Sequence, residues 1–245
     1  MATRSARGYG QYDGAARALE RIGERWALLI VRDLLAGARR YTDLKAGLPR
    51  IPTNILSDRL RELQEAGVVR RVPSVRGGYE LTRLGRSLEP VIDALERWGW
   101  SVLDEPGDGE IVTADAVTAA LRAAFRPDAA AALPPTEYVL HVAGVSLSAI
   151  VVGATLDVAP IGPGALPQPR RRSAFEPVPS AVLELTLKPT GLRDLLSGAA
   201  PSAAPGADAA LRASDRELVD RFRQTFRIEP VEPPSSGTGA AASAA

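Results

Sequence analysis

The chain has 245 residues, 45% hydrophobic and 24% charged, which suits one large domain or two ordinary ones and excludes global disorder. Formal net charge is +1, yet residues 1–100 carry 18 basic against 12 acidic side chains and the rest carries 12 against 17, so only the front half is suited to a polyanion. The absence of cysteine excludes disulfides, thiol switches, zinc–thiolate sites and cysteine nucleophiles.

In chain order, residues 15–35 read as two helical pieces broken near Gly23, with Ile22, Trp26, Leu29, Ile30 and Leu34 at helical spacing. Gly37 ends the second piece. Thr42 is the expected N-cap of a short helix over residues 43–46, with Asp43 favourably placed in its first turn. Gly47-Leu48-Pro49 forces a turn, and Pro52 precedes the stretch TNILSDRLRELQEAG at residues 53–67. There Leu56, Leu60 and Leu63 form one apolar stripe, while Thr53, Asn54, Ser57, Asp58 and Arg61 point the other way. Short polar side chains at a helix N-terminus, with an arginine one turn on, suit entry into a DNA major groove.

Strand-like runs at 68–72 and 79–81, joined by the glycine-containing segment 73–78, make a hairpin. Thr82 is then expected to cap a helix running to about Trp100, with Leu84, Leu88, Val91, Ile92, Leu95 and Trp98 marking its apolar face. This element order is that of a winged helix-turn-helix with added flanking helices. Residues 104–110, DEPGDGE, read as a linker. Beyond it come an Ala-rich amphipathic helix at 113–125, strands at 138–142, 146–152 and 155–158, and a Pro/Arg-rich loop at 160–179. Then follow a half-buried strand at 181–187, a short helix at 190–196, a short strand at 209–213 and a helix at 215–226. Residues 230–245 are Pro/Gly/Ser/Ala-rich and expected to be disordered. The fold expectation is α+β, divided into residues 1–103, a linker at 104–110, a smaller mixed α/β domain at 111–229 and the tail.

The first hundred residues resemble the HxlR family of bacterial winged-helix regulators. The resemblance is carried by ALERIGERWALLIVRDLLAGARRYTDLKAGLP, IPTNILSDRLRELQEAGVVRR and YELTRLGRSLEPVIDALERWG. It implies a homodimer on a pseudo-palindromic operator in double-stranded DNA, joined through the N-terminal and final helices. Many relatives carry a cysteine just before the first helix, whereas YGQYDGAARAL has Asp13 there, so thiol sensing does not transfer. The second half looks like a sterol-carrier-protein-like domain through AVLELTLKPTGLRDLLSG and ALRASDRELVDRFRQTFRI. That resemblance implies an apolar tunnel for a hydrophobic small-molecule effector.

Thr53, Asn54, Ser57, Asp58 and Arg61 are therefore the base-facing candidates. Arginine pairs bidentately with guanine and asparagine with adenine; Asp58 would orient an arginine or accept from cytosine. Arg39, Arg40, Lys45 and Arg76 are candidate phosphate contacts, against the plainer reading of solubilising charge. Arg70 and Arg71 alternate along a strand, so at most one faces DNA. The three tryptophans fit core or interface better than an effector pocket. Val139, Val145, Leu147, Ile150 and Val152 would line a ligand cavity or equally fill a solid core. His141 has no second histidine or cysteine to share a transition metal, and Arg170 to Arg172 read as a solvated charge run.

No phosphate loop, dinucleotide fingerprint or nucleophile elbow occurs, so neither an enzyme nor a cofactor is expected. The first residues hold no signal-like apolar run and no stretch reaches a membrane span, which gives a cytoplasmic expectation. The functional expectation is a dimeric DNA-binding regulator acting as a repressor, with a ligand-responsive second domain. The competing readings are a lipid-binding protein and a protein-interaction module whose winged helix does not read DNA.

Overall fold

A computed structural model describes residues 8–73, 77–162, 179–198 and 213–229. Helices α1 (Gly14–Ile22) and α2 (Ala27–Leu35) are the two pieces expected around Gly23. Asp13 caps α1 by accepting from the Ala16 N–H at 2.9 Å. Trp26 is not part of the helical stripe. It precedes α2 in a left-handed conformation at φ 79°, rare for a residue with a Cβ. Strand β1 (Arg39–Arg40) leads directly into α3 (Tyr41–Gly47), so Thr42 lies inside the helix rather than capping it. The start of α3 is held by Asp43 Oδ2, which accepts from the Arg40 N–H at 2.9 Å.

Helix α4 (Thr53–Glu65) follows, then β2 (Val69–Val72) and β3 (Gly78–Leu81). The wing is a three-stranded antiparallel sheet in the order β1-β3-β2, with Arg39 opposite Tyr79 and Arg71 also opposite Tyr79. Thr82 caps only a short turn, α5 (Arg83–Arg86), by accepting from the Gly85 N–H at 3.1 Å. The long helix α6 (Glu89–Ser101) starts separately. A Cβ at Gly85 would come 2.2 Å from the Val68 carbonyl oxygen, so only glycine lets α5 sit this close to the wing. One core cluster is built from residues 22–92, including Ile30, Leu34, Leu44, Leu56, Leu60, Leu63, Leu81 and Ile92.

The second core belongs to a C-terminal mixed-sheet domain. It contains α7 (Ala114–Ala124), α8 (Pro127–Ala131), β4 (Thr136–Val142), β5 (Val145–Val152), β6 (Thr155–Pro160), β7 (Ala181–Leu187), α9 (Pro189–Ser197) and α10 (Ala213–Thr225). The sheet order is β6-β5-β4-β7; β4 and β7 run parallel and the other pairs antiparallel. Tyr138 meets Phe222 and Phe226 edge-on at 5.1 and 5.6 Å, and Phe125 packs on Phe226 at 5.9 Å. Of the expected strand at 209–213, residues 209–212 lie outside the described residues and Ala213 opens α10; the tail and almost all of the 160–179 loop also lie outside them.

The two cores are in contact rather than tethered. Helix α7 packs along α6 and touches α2. Three arginines bolt the seam: Arg122 Nη1 donates to the Leu35 carbonyl at 3.2 Å, Arg97 Nη1 to the Ala123 carbonyl at 3.2 Å, and Arg39 Nη2 to Asp115 Oδ1 at 2.8 Å. The linker segment is laid back onto the first domain, with Arg50 Nη2 donating to the Asp108 carbonyl at 3.1 Å. Among the described residues, no helix is long and apolar enough to cross a membrane.

Candidate DNA interface

Helix α4 buries Leu56, Leu60 and Leu63, burial that fixes its rotation about its own axis. Thr53, Asn54, Ser57 and Arg61 are therefore exposed on the opposite face, and Asp58 is partly exposed. Asp58 Oδ1 accepts from Arg61 Nη2 at 3.0 Å, an exposed pair one turn apart. Such a pair contributes little to stability, so Arg61 is free to exchange Asp58 for another acceptor. At the N-terminus of α4, the Tyr41 hydroxyl donates to the Thr53 carbonyl at 2.8 Å, and Ser57 Oγ lies 3.3 Å from that hydroxyl. Tyr41 thus locks α3 to the entry end of α4.

Between α4 and the wing lies an open groove of about 740 Å³, lined in part by Arg40, Tyr41, Ser57, Arg61, Gln64 and Arg71. Arg71 lies over the Tyr79 ring at 5.1 Å and donates to its hydroxyl at 3.0 Å. Arg70 points to the other side of the strand, where it pairs with Glu80. The alternation of β2 thus assigns Arg71 to the groove and Arg70 away from it.

The four candidate phosphate contacts do not act as a group. Arg40 is exposed on the groove. Lys45 is half-buried, its Nζ donating to the Pro49 carbonyl at 3.2 Å. Arg39 corrects the expectation outright: its side chain is 2% exposed and ion-paired with Asp115, so it braces the domain seam and does not meet a phosphate. The reason is its place in β1, which turns successive side chains to opposite faces. Arg76 lies outside the described residues.

The five candidate pocket residues also do not converge. Along β5, Val145 and Leu147 face the aromatic core with Ala149 and Val151, whereas Ile150 and Val152 alternate to the far face. Val139 lies opposite Ser148 on that far face too. Leu147 is fully packed. They therefore line no common cavity. On the same far face, His141 bridges Ser146 Oγ at 2.8 Å and Glu184 Oε1 at 2.9 Å. Ser148 Oγ donates to Glu137 Oε1. An open space of about 240 Å³ lies elsewhere, where Trp100 and Leu103 at the end of α6 meet Arg193 and Leu196 of α9 and Ile228. Among the described residues no group of three His, Cys, Asp or Glu side chains could hold a metal ion.

Residues missed by the sequence reading are Tyr41, Gln64, Asp33 and Asp115. Asp33 carried a signal: three residues after Ile30 and beside Leu34, it falls on the apolar face of α2.

The HxlR-like helix-turn-helix model matches residues 21–106, and the HTH-type transcriptional regulator YvaP of Bacillus subtilis is 37% identical over 92 residues, spanning 36% of this chain and 85% of YvaP. The chain belongs to the HxlR-like helix-turn-helix family. An HTH-type transcriptional regulator of Mycobacterium tuberculosis is 44% identical over 98 residues, covering 38% of this chain and 61% of that protein. The reduced form of the transcriptional regulator YodB from B. subtilis is 30% identical, covering 40% of this chain and all of that one, with a TM-score of 0.33. The HxlR match ends at residue 106, so the C-terminal sheet domain lies beyond it. In this HxlR member, the position before the first helix is occupied by the capping carboxylate of Asp13.

Proposed function

We propose that this chain is a sequence-specific DNA-binding regulator that acts as a homodimer, placing two copies of α4 in major grooves about one turn apart on a pseudo-palindromic operator. The observation that carries this reading is the groove between α4 and the wing. Its α4 wall ends in exposed short polar groups, and Arg40, Arg61 and Arg71 surround it. Thr53, Asn54, Ser57 and Arg61 read base edges, with Asp58 holding Arg61 until DNA is bound. Arg40 and Arg71 contact the backbone, which fixes register without reading sequence.

Dimerisation is supported by apolar side chains without cover in a single chain. Leu19 of α1 and Val91, Leu95 and Trp98 of α6 are all exposed, Trp98 by 59%. Repression follows if the occupied operator overlaps the promoter. A sensory role for the C-terminal domain is supported by the packing of α7 on α6, which ties that domain to the dimerisation helix. A small apolar effector would enter at the Trp100–Ile228 space, not among the sheet residues first considered. The sterol-carrier-like reading of this domain rests on its sequence alone.

The test is fluorescence anisotropy with genomic fragments flanking the chain's own gene, at two salt concentrations. Affinity should fall steeply with salt, since phosphate contacts release counterions. Arg61→Ala and Asn54→Ala should each cost about 1–3 kcal/mol on the preferred site and relax base preference. Full affinity and selectivity in both variants would refute the assignment of this helix face.

A further inference from the structure

The domain seam contains a carboxylate that is buried and only half satisfied. Asp33 has no exposed surface. Its Oδ1 accepts from Arg32 Nε and Nη2 at 2.9 and 2.8 Å. Its Oδ2 has no hydrogen-bond partner among the described residues. A Cβ placed on Gly47 would lie 2.9 Å from Asp33 Oδ2 and 3.6 Å from Asp115 Oδ2. Both carboxylates therefore turn toward the same small space at the end of α3, and only the missing side chain of glycine leaves room for them. The charged groups facing Asp33 are Arg32 on α2 itself, Arg39 on β1 and Asp115 on α7. Gly47 brings no charge from α3, and Glu96 of α6 acts on the far side, against Arg32.

An ionised oxygen buried without a donor is costly. Burial raises the Asp33 pKa to about 6; Arg32 opposes the rise and Asp115 adds to it. The cost is relieved in two ways. A proton on Asp33 supplies an O–H donor facing Asp115. Otherwise α7 separates from α2 and α3 and admits water.

We propose that Asp33 is a proton-operated latch between the C-terminal sheet domain and the base of the wing, closed when Asp33 is protonated and opening more readily when it is ionised. Closing keeps Asp115 on Arg39. Arg39 pairs with Tyr79 in the wing and leads into α3, which Tyr41 ties to α4, so opening loosens the wing and the support of the α4 wall together. The effect on DNA rests on the function proposed above; the latch itself does not.

Hydrogen–deuterium exchange on the full chain tests this, with rates corrected for intrinsic pH dependence. Opening of residues 39–47 and 114–121 should be about tenfold more frequent at pH 8 than at pH 5, one decade for the one unit between pH 5 and the raised Asp33 midpoint near 6, above which the effect levels off. Asp33→Asn should remove most of that difference and hold the seam closed at both values. No pH response in the wild type, or an undiminished one in Asp33→Asn, overturns the latch. A second measurement needs no variant: the Asp33 carboxyl carbon shift should titrate near pH 6, and a midpoint in the ordinary carboxylate range refutes the proposal. A seam that responds to pH in a chain that binds no DNA fragment would overturn the function and support the latch.

Discussion

Helices α4 and α6 are the same length, 13 residues each, and both carry apolar side chains at helical spacing. They fold to opposite ends. In α4 the stripe Leu56, Leu60 and Leu63 is buried within the chain. In α6 only Ile92 is buried, while Val91, Leu95 and Trp98 remain exposed on the outside of the molecule. Amphipathic periodicity states that a face needs a partner. It does not state whether the partner is the same chain, a second copy or another molecule.

The difference has measurable consequences. Leu60→Ala empties a packed site, and should cost about 2–5 kcal/mol in a denaturant titration. A smaller loss would show that the α4 stripe is less tightly held than its burial implies. Leu95→Glu adds a charge to an exposed position, so the monomer should keep its circular dichroism spectrum. Dissociation of the proposed dimer, measured by sedimentation, should rise by about a hundredfold or more, near 2.7 kcal/mol. Loss of the monomer fold instead would mean that this face is needed within one chain.

The inner side of α6 faces α7 and the buried acids, and there pH is the probe. Asp33 has a raised pKa when folded, so the folded chain holds its proton more tightly than the unfolded chain. The resulting stability is fully present below about pH 4, and is lost as pH rises through about 6. Between pH 8 and pH 5 the gain on acidification is about 1.4 kcal/mol. Asp93 and Glu96 on α6 are also raised, mainly by burial, and act in the same direction. The difference between wild type and Asp33→Asn isolates the Asp33 share. Equal pH slopes for the two chains would remove Asp33 from the account.

Much of the winged helix was legible before its structure. The breaks at Gly23, Gly47 to Pro49 and Pro52 separate the helices through local backbone limits. The three leucines then set which way α4 faces. Arg39 was not legible. Nothing in ARRYTD distinguishes it from Arg40; the wing pairing turns one side chain inward and the other out. Its partner Asp115 is 76 residues away, beyond any local pattern. The five apolar strand residues failed as a set because they come from two strands, and the apolar run 149–152 of β5 hides which face each residue takes.

What the sequence determined by itself was therefore local: where the chain breaks between helices, which stripe of each is apolar, and that no thiol chemistry is available. Backbone sterics and side-chain polarity act within a few residues and leave their mark on neighbouring letters. The tertiary structure alone decided which apolar stripe finds its cover inside the chain, which arginines stay at the surface, and that two acids from distant helices share one buried space. Those outcomes depend on desolvation, set by what packs against a side chain rather than by what precedes it.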